Sequence, residues 1–314
     1  MKKILLFLIL IIAFSPKIYS QDDVKKTAVE AINNATKKTA TIVEDTTKLK
    51  RWYIKNNITF NTEQNAFSNW EAGGVGSFAF SVFYNGFFNY HRQKLKWDNS
   101  LELGYGKMRQ DNNGRGVFDK GNKFRKNEDK IEFNSILGYR AFRSWNYSLL
   151  VNFKSQFDNG YKDDSILVSA LLSPAYLTTS IGFEYKPKPF ISILISPLTG
   201  RTTFIYKESL AKAGNYSMEE DGQRTFFAVG SYIKLFFEKE VFTNGHLLAK
   251  LEFFNDYNKT PFLTNTDINF EANLTMKVNK YLSAFINIQV AYNYDFSSKI
   301  QFKERIGVSI PLSF

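Results

Sequence analysis

The sequence has no cysteine and only two histidines in 314 residues. The first absence excludes disulfide scaffolds, thiol catalysis, Fe–S clusters and cysteine-type zinc sites together. The second leaves too few imidazoles for a His-built metal site. Long apolar runs are missing as well. After the first twenty residues no stretch approaches the roughly eighteen consecutive apolar residues that a spanning helix needs. A mean hydropathy of −0.29 also argues against a bundle of transmembrane helices. It does not argue against a membrane barrel, in which only every second residue faces lipid.

The first twenty residues read as a secretory signal peptide. Lys2 and Lys3 form a charged start, Ile4 to Phe14 an apolar run, and Ile18-Tyr19-Ser20 a small-residue cleavage point before Gln21. No cysteine follows, so lipoprotein anchoring is excluded. Removing this segment with its three lysines lowers the net charge from +11 to +8. Residues 21–50 are rich in Ala, Thr and Lys and contain no Gly, Pro or aromatic residue. Val24, Ala28, Ala31, Ile32 and Ala35 recur near helical spacing, but the apolar face is thin. This segment is expected to be a periplasmic helix or disordered tether, with a plug entering the barrel mouth as the alternative.

From Trp52 onward the pattern has period two. Ile300, Phe302, Ile306, Val308, Ile310, Leu312 and Phe314 fall on one face of the last stretch, and Gln301, Lys303, Arg305, Gly307 and Ser309 on the other. A soluble sandwich also alternates, but three features favour a membrane barrel. The strands are long against a usual mode of about five or six residues. Aromatics such as Tyr84, Phe88, Tyr90, Tyr292 and Tyr294 sit near strand ends, as an interfacial girdle requires. The chain also ends on a strand with Phe314, which resembles the signal read by the barrel-assembly machinery of bacterial outer membranes.

The expected fold is therefore all-β: residues 51–314 as a single closed antiparallel outer-membrane barrel. Its twelve strands fall near 52–62, 75–92, 94–108, 128–143, 145–157, 166–187, 189–207, 224–239, 244–257, 265–279, 281–295 and 299–314. Tight turns at Gln93, Arg143-Ser144, Pro187-Lys188-Pro189 and Lys280 alternate with mostly longer links. That alternation is typical of an outer-membrane barrel in a Gram-negative bacterium with both termini in the periplasm. Proline lacks the ladder N–H, so Ser173-Pro174 and Ser196-Pro197 should mark bulges or strand ends near the outer boundary.

A family resemblance rests on particular runs: Asn69-Trp70-Glu71-Ala72-Gly73-Gly74, Trp97-Asp98-Asn99-Ser100-Leu101 and Gly104-Tyr105-Gly106. Glu128-Asp129-Lys130-Ile131-Glu132, Leu172-Ser173-Pro174 and Ser196-Pro197-Leu198-Thr199-Gly200 extend it. With these motifs residues 50–314 resemble a Bacteroidota family catalogued as domain of unknown function 3078. The resemblance implies an outer-membrane barrel from that phylum and no catalytic residues.

Alternation assigns a charged inward face: Glu102, Glu132, Arg140, Lys154, Glu184, Lys250, Glu252, Glu271, Lys277, Lys303 and Arg305. Facing lipid, each charge would be expensive. Two uses are open: a network of paired charges stiffening the wall, or a selective lining for a small polar solute. Inward Phe83, Phe87, Phe226, Tyr232 and Phe236 either fill space or form a slide for an apolar ligand. Glu102 and Glu132, on neighbouring strands, form a close carboxylate pair or lie apart, each beside a base.

An enzyme is not expected. His91 and His246 fall beside the periplasmic turns, and neither has a serine at a motif spacing. Gly73-Gly74-Val75-Gly76 lacks the lysine and helix of a phosphate loop. Loop Arg109–Asn127 has six bases against two acids, either a solvated loop or a clasp for lipopolysaccharide phosphates. Asp111-Asn112-Asn113-Gly114 lacks the alternating ligands of a calcium loop and reads as a turn. A pI of 9.4 suggests nucleic acid, but the bases are dispersed and the compartment is wrong. No cofactor is expected. Two functions stay open: a narrow passive or ligand-selective channel for a small solute, and a non-transporting structural or accessory barrel docking onto an envelope or secretion complex.

Overall fold

A computed structural model describes residues 51–67, 75–162, 165–213, 222–259, 266–293 and 297–313. The signal peptide, segment 21–50, the Asn69–Gly74 motif, Tyr294 and Phe314 lie outside the described residues. The strands are β1 (Trp52–Asn65), β2 (Ser77–Arg92), β3 (Leu95–Gln110), β4 (Phe124–Phe142), β5 (Trp145–Ser155), β6 (Gly160–Lys162) and β7 (Ile166–Ser169). They continue with β8 (Ala175–Lys188), β9 (Ile191–Phe204), β10 (Thr225–Phe242), β11 (Gly245–Asp256), β12 (Thr266–Lys277), β13 (Ser283–Asn293) and β14 (Ser297–Ser313). A short helix, α1 (Glu208–Lys212), lies between β9 and β10.

Twelve of these described strands close into one antiparallel barrel; β6 and β7 form a separate hairpin in the link between β5 and β8. Closure joins the first strand to the last, from Asn57 opposite Ser313 to Thr62 opposite Val308. A closed ring leaves no free edge, and its period-two alternation gives every strand one outer and one inner face. The outer face is apolar and exposed, with Ile181 and Phe227 at 60%, Ile306 at 61% and Phe302 at 64%. Val308, Ile310 and Leu312 share that face, while Arg305 on the opposite face is 8% exposed.

The links sort largely by length onto the two ends of the barrel, the three-residue link between β13 and β14 being the short member at the long-link end. Links 93–94, 143–144, 189–190, 243–244 and 278–282 are short, and Gln93, Arg143 and Asn244 take positive φ of 50, 45 and 64° to reverse the chain. Trp52 and Ser313 lie at this short-turn end, since Trp52 pairs with Tyr90 and Ser309 with Ser283. The other end carries the long links, including a packed cap in which Ala170, Ile205, Leu210 and Ala211 bury against one another beside Leu167.

Two boundaries differ from those expected by more than three residues. The stretch 166–187 is not one strand. Ala170 and Ser173 exchange both backbone hydrogen bonds at 2.9 Å, Leu172 takes φ 55°, and Pro174 offers no N–H, so a tight turn separates β7 from β8. β4 begins at Phe124 rather than 128, which shortens the basic loop to residues 111–123.

Pro174 thus lies one residue before β8, a strand end. Pro197 sits in a bulge, where the register slips between Ile181 and Phe183 on one side and between Gly230 and Tyr232 on the other. The bulge is midway along β9, not near the outer boundary. Neighbouring groups replace what proline lacks: the Ser196 hydroxyl lies 2.8 Å from the Ile181 carbonyl and 2.9 Å from that of Leu198. On the β8 side Gly182 lets its backbone come close to the bulged β9; on the β10 side Gly230 instead comes close to β11. A Cβ at Gly182 would stand 2.2 Å from the Ile195 carbonyl oxygen, and one at Gly230 2.0 Å from that of Asn255.

Candidate functional site: the charged interior

Ladder parity places all eleven charged residues named above on the inner face of the wall. Glu102 stands directly opposite Glu132 across β3 and β4, Glu132 opposite Lys154 across β4 and β5, and Lys250 opposite Glu271 across β11 and β12. Two like charges in register repel, and here Lys130 separates them. Its Nζ lies 2.8 Å from Glu102, 3.1 Å from Glu132 and 3.0 Å from Glu271.

The contact to Glu271 is unlike a wall contact. β4 and β12 stand six strands apart in the ring of twelve, the largest separation the ring allows. β3 and β11 are equally far apart, and the Lys250 ammonium pairs with Glu102 between them. Lys154 on β5 reaches Glu252 on β11, four strands away in the ring, and Lys234 lies 3.1 Å from Glu252 and Asn134. Asn152 donates to Asn134 at 2.7 Å and to Glu132 at 3.3 Å. Four lysines and four glutamates thus balance one another in one layer. One lysine and one glutamate are together long enough to bridge opposite walls at this height.

Beside this layer the interior is apolar. Leu150, Leu194, Ala228, Tyr232 and Phe254, from β5, β9, β10 and β11, form one buried cluster against Ile136 and Phe226. Of the inward aromatics, Phe226 and Tyr232 pack in that cluster, and Phe83 lies under the Arg305 guanidinium at 5.0 Å. Towards the long links Glu128 receives Lys303 at 2.8 Å and Arg305 at 3.0 Å. Asp267 pairs with Arg201, whose guanidinium lies 3.9 Å above the Phe254 ring.

Three of the eleven stand apart. Glu184 is at the short-turn end, where Lys186 lies 3.0 Å away and Ser192 donates to it at 2.7 Å. Arg140 and Lys277 are exposed near the turns at that end. Glu128, Lys130, Lys234 and Asp267 were missed, although parity carried the signal: Lys130 is two residues from Glu132, and Lys234 lies between Tyr232 and Phe236; Arg201 was hidden by the Pro197 bulge, which switches the inward parity of β9. His91 and His246 occupy the short-turn end, His91 2.8 Å from Asp98 and His246 3.5 Å from Glu238. Loop 111–123 folds around Asn122, whose amide donates to Gly116 at 3.0 Å, while Arg109 donates to the Asn122 carbonyl at 2.7 Å. Asp119 accepts from the Gly121 backbone and from Asn113, and these bonds hold its carboxyl below the ordinary value.

No curated protein matches the sequence. Among solved structures the chain is similar to the translocator domain of the autotransporter NalP from Neisseria meningitidis, at 11% identity and a TM-score of 0.37, covering 91% of this chain and 97% of that one. It is also similar to an outer membrane channel from Pseudomonas putida F1, at 8% identity and a TM-score of 0.39, covering 87% and 100%. A third similarity is to OprB from Pseudomonas putida, at 10% identity and a TM-score of 0.30, covering 84% and 94%. Residues 60–161, from the middle of β1 into β6, match the model of the family described as "Protein of unknown function (DUF3078)", the family whose motifs the sequence resembles.

Proposed function

We propose that this chain is an outer-membrane β-barrel with a lumen sealed at mid-height, serving as a non-transporting structural or accessory barrel of the cell envelope. The exposed apolar outer face and the separation of short turns from long links support membrane insertion. The short-turn end, where the described wall begins and ends, is the periplasmic one. The opposite end offers partners its folded cap and the basic loop 111–123, suited to lipopolysaccharide phosphates or to an acidic envelope protein.

One observation carries the sealed reading: Lys130 binds carboxylates on β3, β4 and the diametrically opposite β12. A solute passing this layer would have to separate charges that satisfy one another away from bulk water, which is expensive. Single-channel recording of the purified barrel in planar bilayers tests it. The native protein is expected to give no conductance steps, and a variant that shortens both sides of the layer, Lys130→Ala with Lys250→Ala and Glu102→Ala, is expected to give small ones. Steady steps from the native protein would instead make it a narrow channel.

A further inference from the structure

The short-turn end carries a recess on the outward side of the wall. Arg92, Gln93, Lys94, Leu95 and Tyr139 line it, and its volume is about 460 Å³. The ladder explains the assembly: Arg92 pairs with Leu95 across β2 and β3, and Leu95 with Tyr139 across β3 and β4. Their side chains therefore stand in one row on the outer face, beside the Gln93-Lys94 turn.

One step further from the turn is a second row, Tyr90, Trp97 and Leu137, again in register. Trp52 packs on it, 5.2 Å from Tyr90 and 6.0 Å from Trp97, and the Trp97 indole donates to Ser135 at 2.8 Å. The outer surface thus changes from aromatic to cationic within one row. Neither Arg92 nor Lys94 has an ion-pair partner among the described residues. The carboxylates nearest in sequence and register do not serve them. Asp98 and Glu184 face the interior, where His91 and Lys186 hold them.

We propose that this recess binds the phosphate headgroup of an anionic glycerophospholipid, with Arg92 and Lys94 on the phosphodiester and an acyl chain running along Leu95, Tyr139 and Trp97. The assignment rests on the membrane-barrel reading above. Amphipathic aromatic rings settle at headgroup level, and cations beside them meet lipid phosphates. A freely dissolved anion would have no use for the apolar wall formed by Leu95 and Tyr139. The volume lies in the range of roughly 300–1,000 Å³ common for small-ligand sites.

Tryptophan quenching tests the site directly. In the full chain carrying Trp70→Phe and Trp145→Phe, emission reports Trp52 and Trp97. The barrel is reconstituted in phosphatidylcholine bilayers containing a small fraction of acyl-brominated phosphatidylglycerol or, in parallel, acyl-brominated phosphatidylcholine. Brominated phosphatidylglycerol is expected to be preferred roughly fivefold, the effect of one well-placed cation at an anionic surface. Arg92→Glu with Lys94→Glu should abolish the preference, and Lys120→Glu with Lys123→Glu, at the other end, should leave it. Equal quenching by the two lipids, or a preference that survives Arg92→Glu with Lys94→Glu, would overturn the site while leaving the barrel in the membrane. No quenching by either lipid would overturn the membrane reading itself. Inorganic phosphate in the buffer is expected to leave the preference intact; its loss would mean a free-anion site and not a lipid one.

Discussion

The two faces of the barrel wall follow the same period and obey different rules. On the outer face each residue needs only to be apolar, so its neighbours hardly matter and parity alone describes it. On the inner face Lys130 and Glu271 are 141 positions apart in sequence and 3.0 Å apart in space. Each buried charge of the central layer is acceptable only because a particular group from another strand meets it. Alternation therefore determines which way a side chain points, and barrel closure determines what it meets. The comparison sharpens when single positions on each face are broken.

The largest loss should come from Lys130→Met. Removal of the shared ammonium takes from Glu271 its ion pair and leaves Glu102 opposite Glu132 with only Lys250 and Lys154 beside them, and breaking a buried pair from one side costs about 3–5 kcal/mol. Urea unfolding of the refolded barrel in lipid vesicles measures it. The double change Lys130→Met with Glu132→Gln should recover part of the loss. If Lys130→Met alone unfolds like the native protein, the bridge across the lumen is not formed.

Next comes the apolar half of the interior. Leu150 is fully buried, and Leu150→Ala should cost about 2–5 kcal/mol in the same assay, from lost transfer energy and the cavity left behind. A cost near zero would mean that this half is open to water. On the outer face, Val308→Arg should cost roughly 2–4 kcal/mol if the position lies near the bilayer midplane. Unchanged insertion into vesicles would show that β14 faces the other way. In this series only the inner changes should alter conductance.

How much of this was legible beforehand follows from the same distinction. The twelve strands were readable because Ile306, Val308, Ile310 and Leu312 repeat a two-residue rule that needs no partner. The inward direction of Glu102 or Lys250 was readable for the same reason. That Glu102 and Lys250 meet each other was not, because the meeting depends on two strands lying opposite in a closed ring. The break between β7 and β8 was hidden because Ile166 to Ser169 alternates like a strand, and the turn depends on Leu172 and on Ser173 pairing back with Ala170. Pro197 was visible as a disturbance. The bulge position, midway along the strand, goes with the close approach of the β8 and β9 backbones at Gly182, which only the register reveals.

The smallest effect should appear at the long-link end, outside the wall. Asp158 precedes the β6 hairpin and accepts a hydrogen bond from the Tyr105 hydroxyl at 2.8 Å. That bond first, then the Asn159 backbone and the charges of Lys107 and Lys126, outweigh desolvation and hold the Asp158 carboxyl below its ordinary value. A depressed carboxyl stabilises the folded loop fully above its unfolded pKa, and this contribution disappears as the pH falls through the folded one. Limited proteolysis within residues 156–174 should therefore be slow at neutral pH and quicken on acidification, before the barrel itself unfolds. Asp158→Asn should be cleaved somewhat faster at neutral pH, with a weaker dependence on acid. The side chain is partly exposed and its interactions are screened by solvent, so the change should be modest and confined to the loop. Asp129, which accepts from the backbone of Phe157 at 2.7 Å and of Asp158 at 2.9 Å, anchors the same loop from the wall. If Asp158→Asn is cleaved at the native rate across the whole pH range, the loop is held by Asp129 alone.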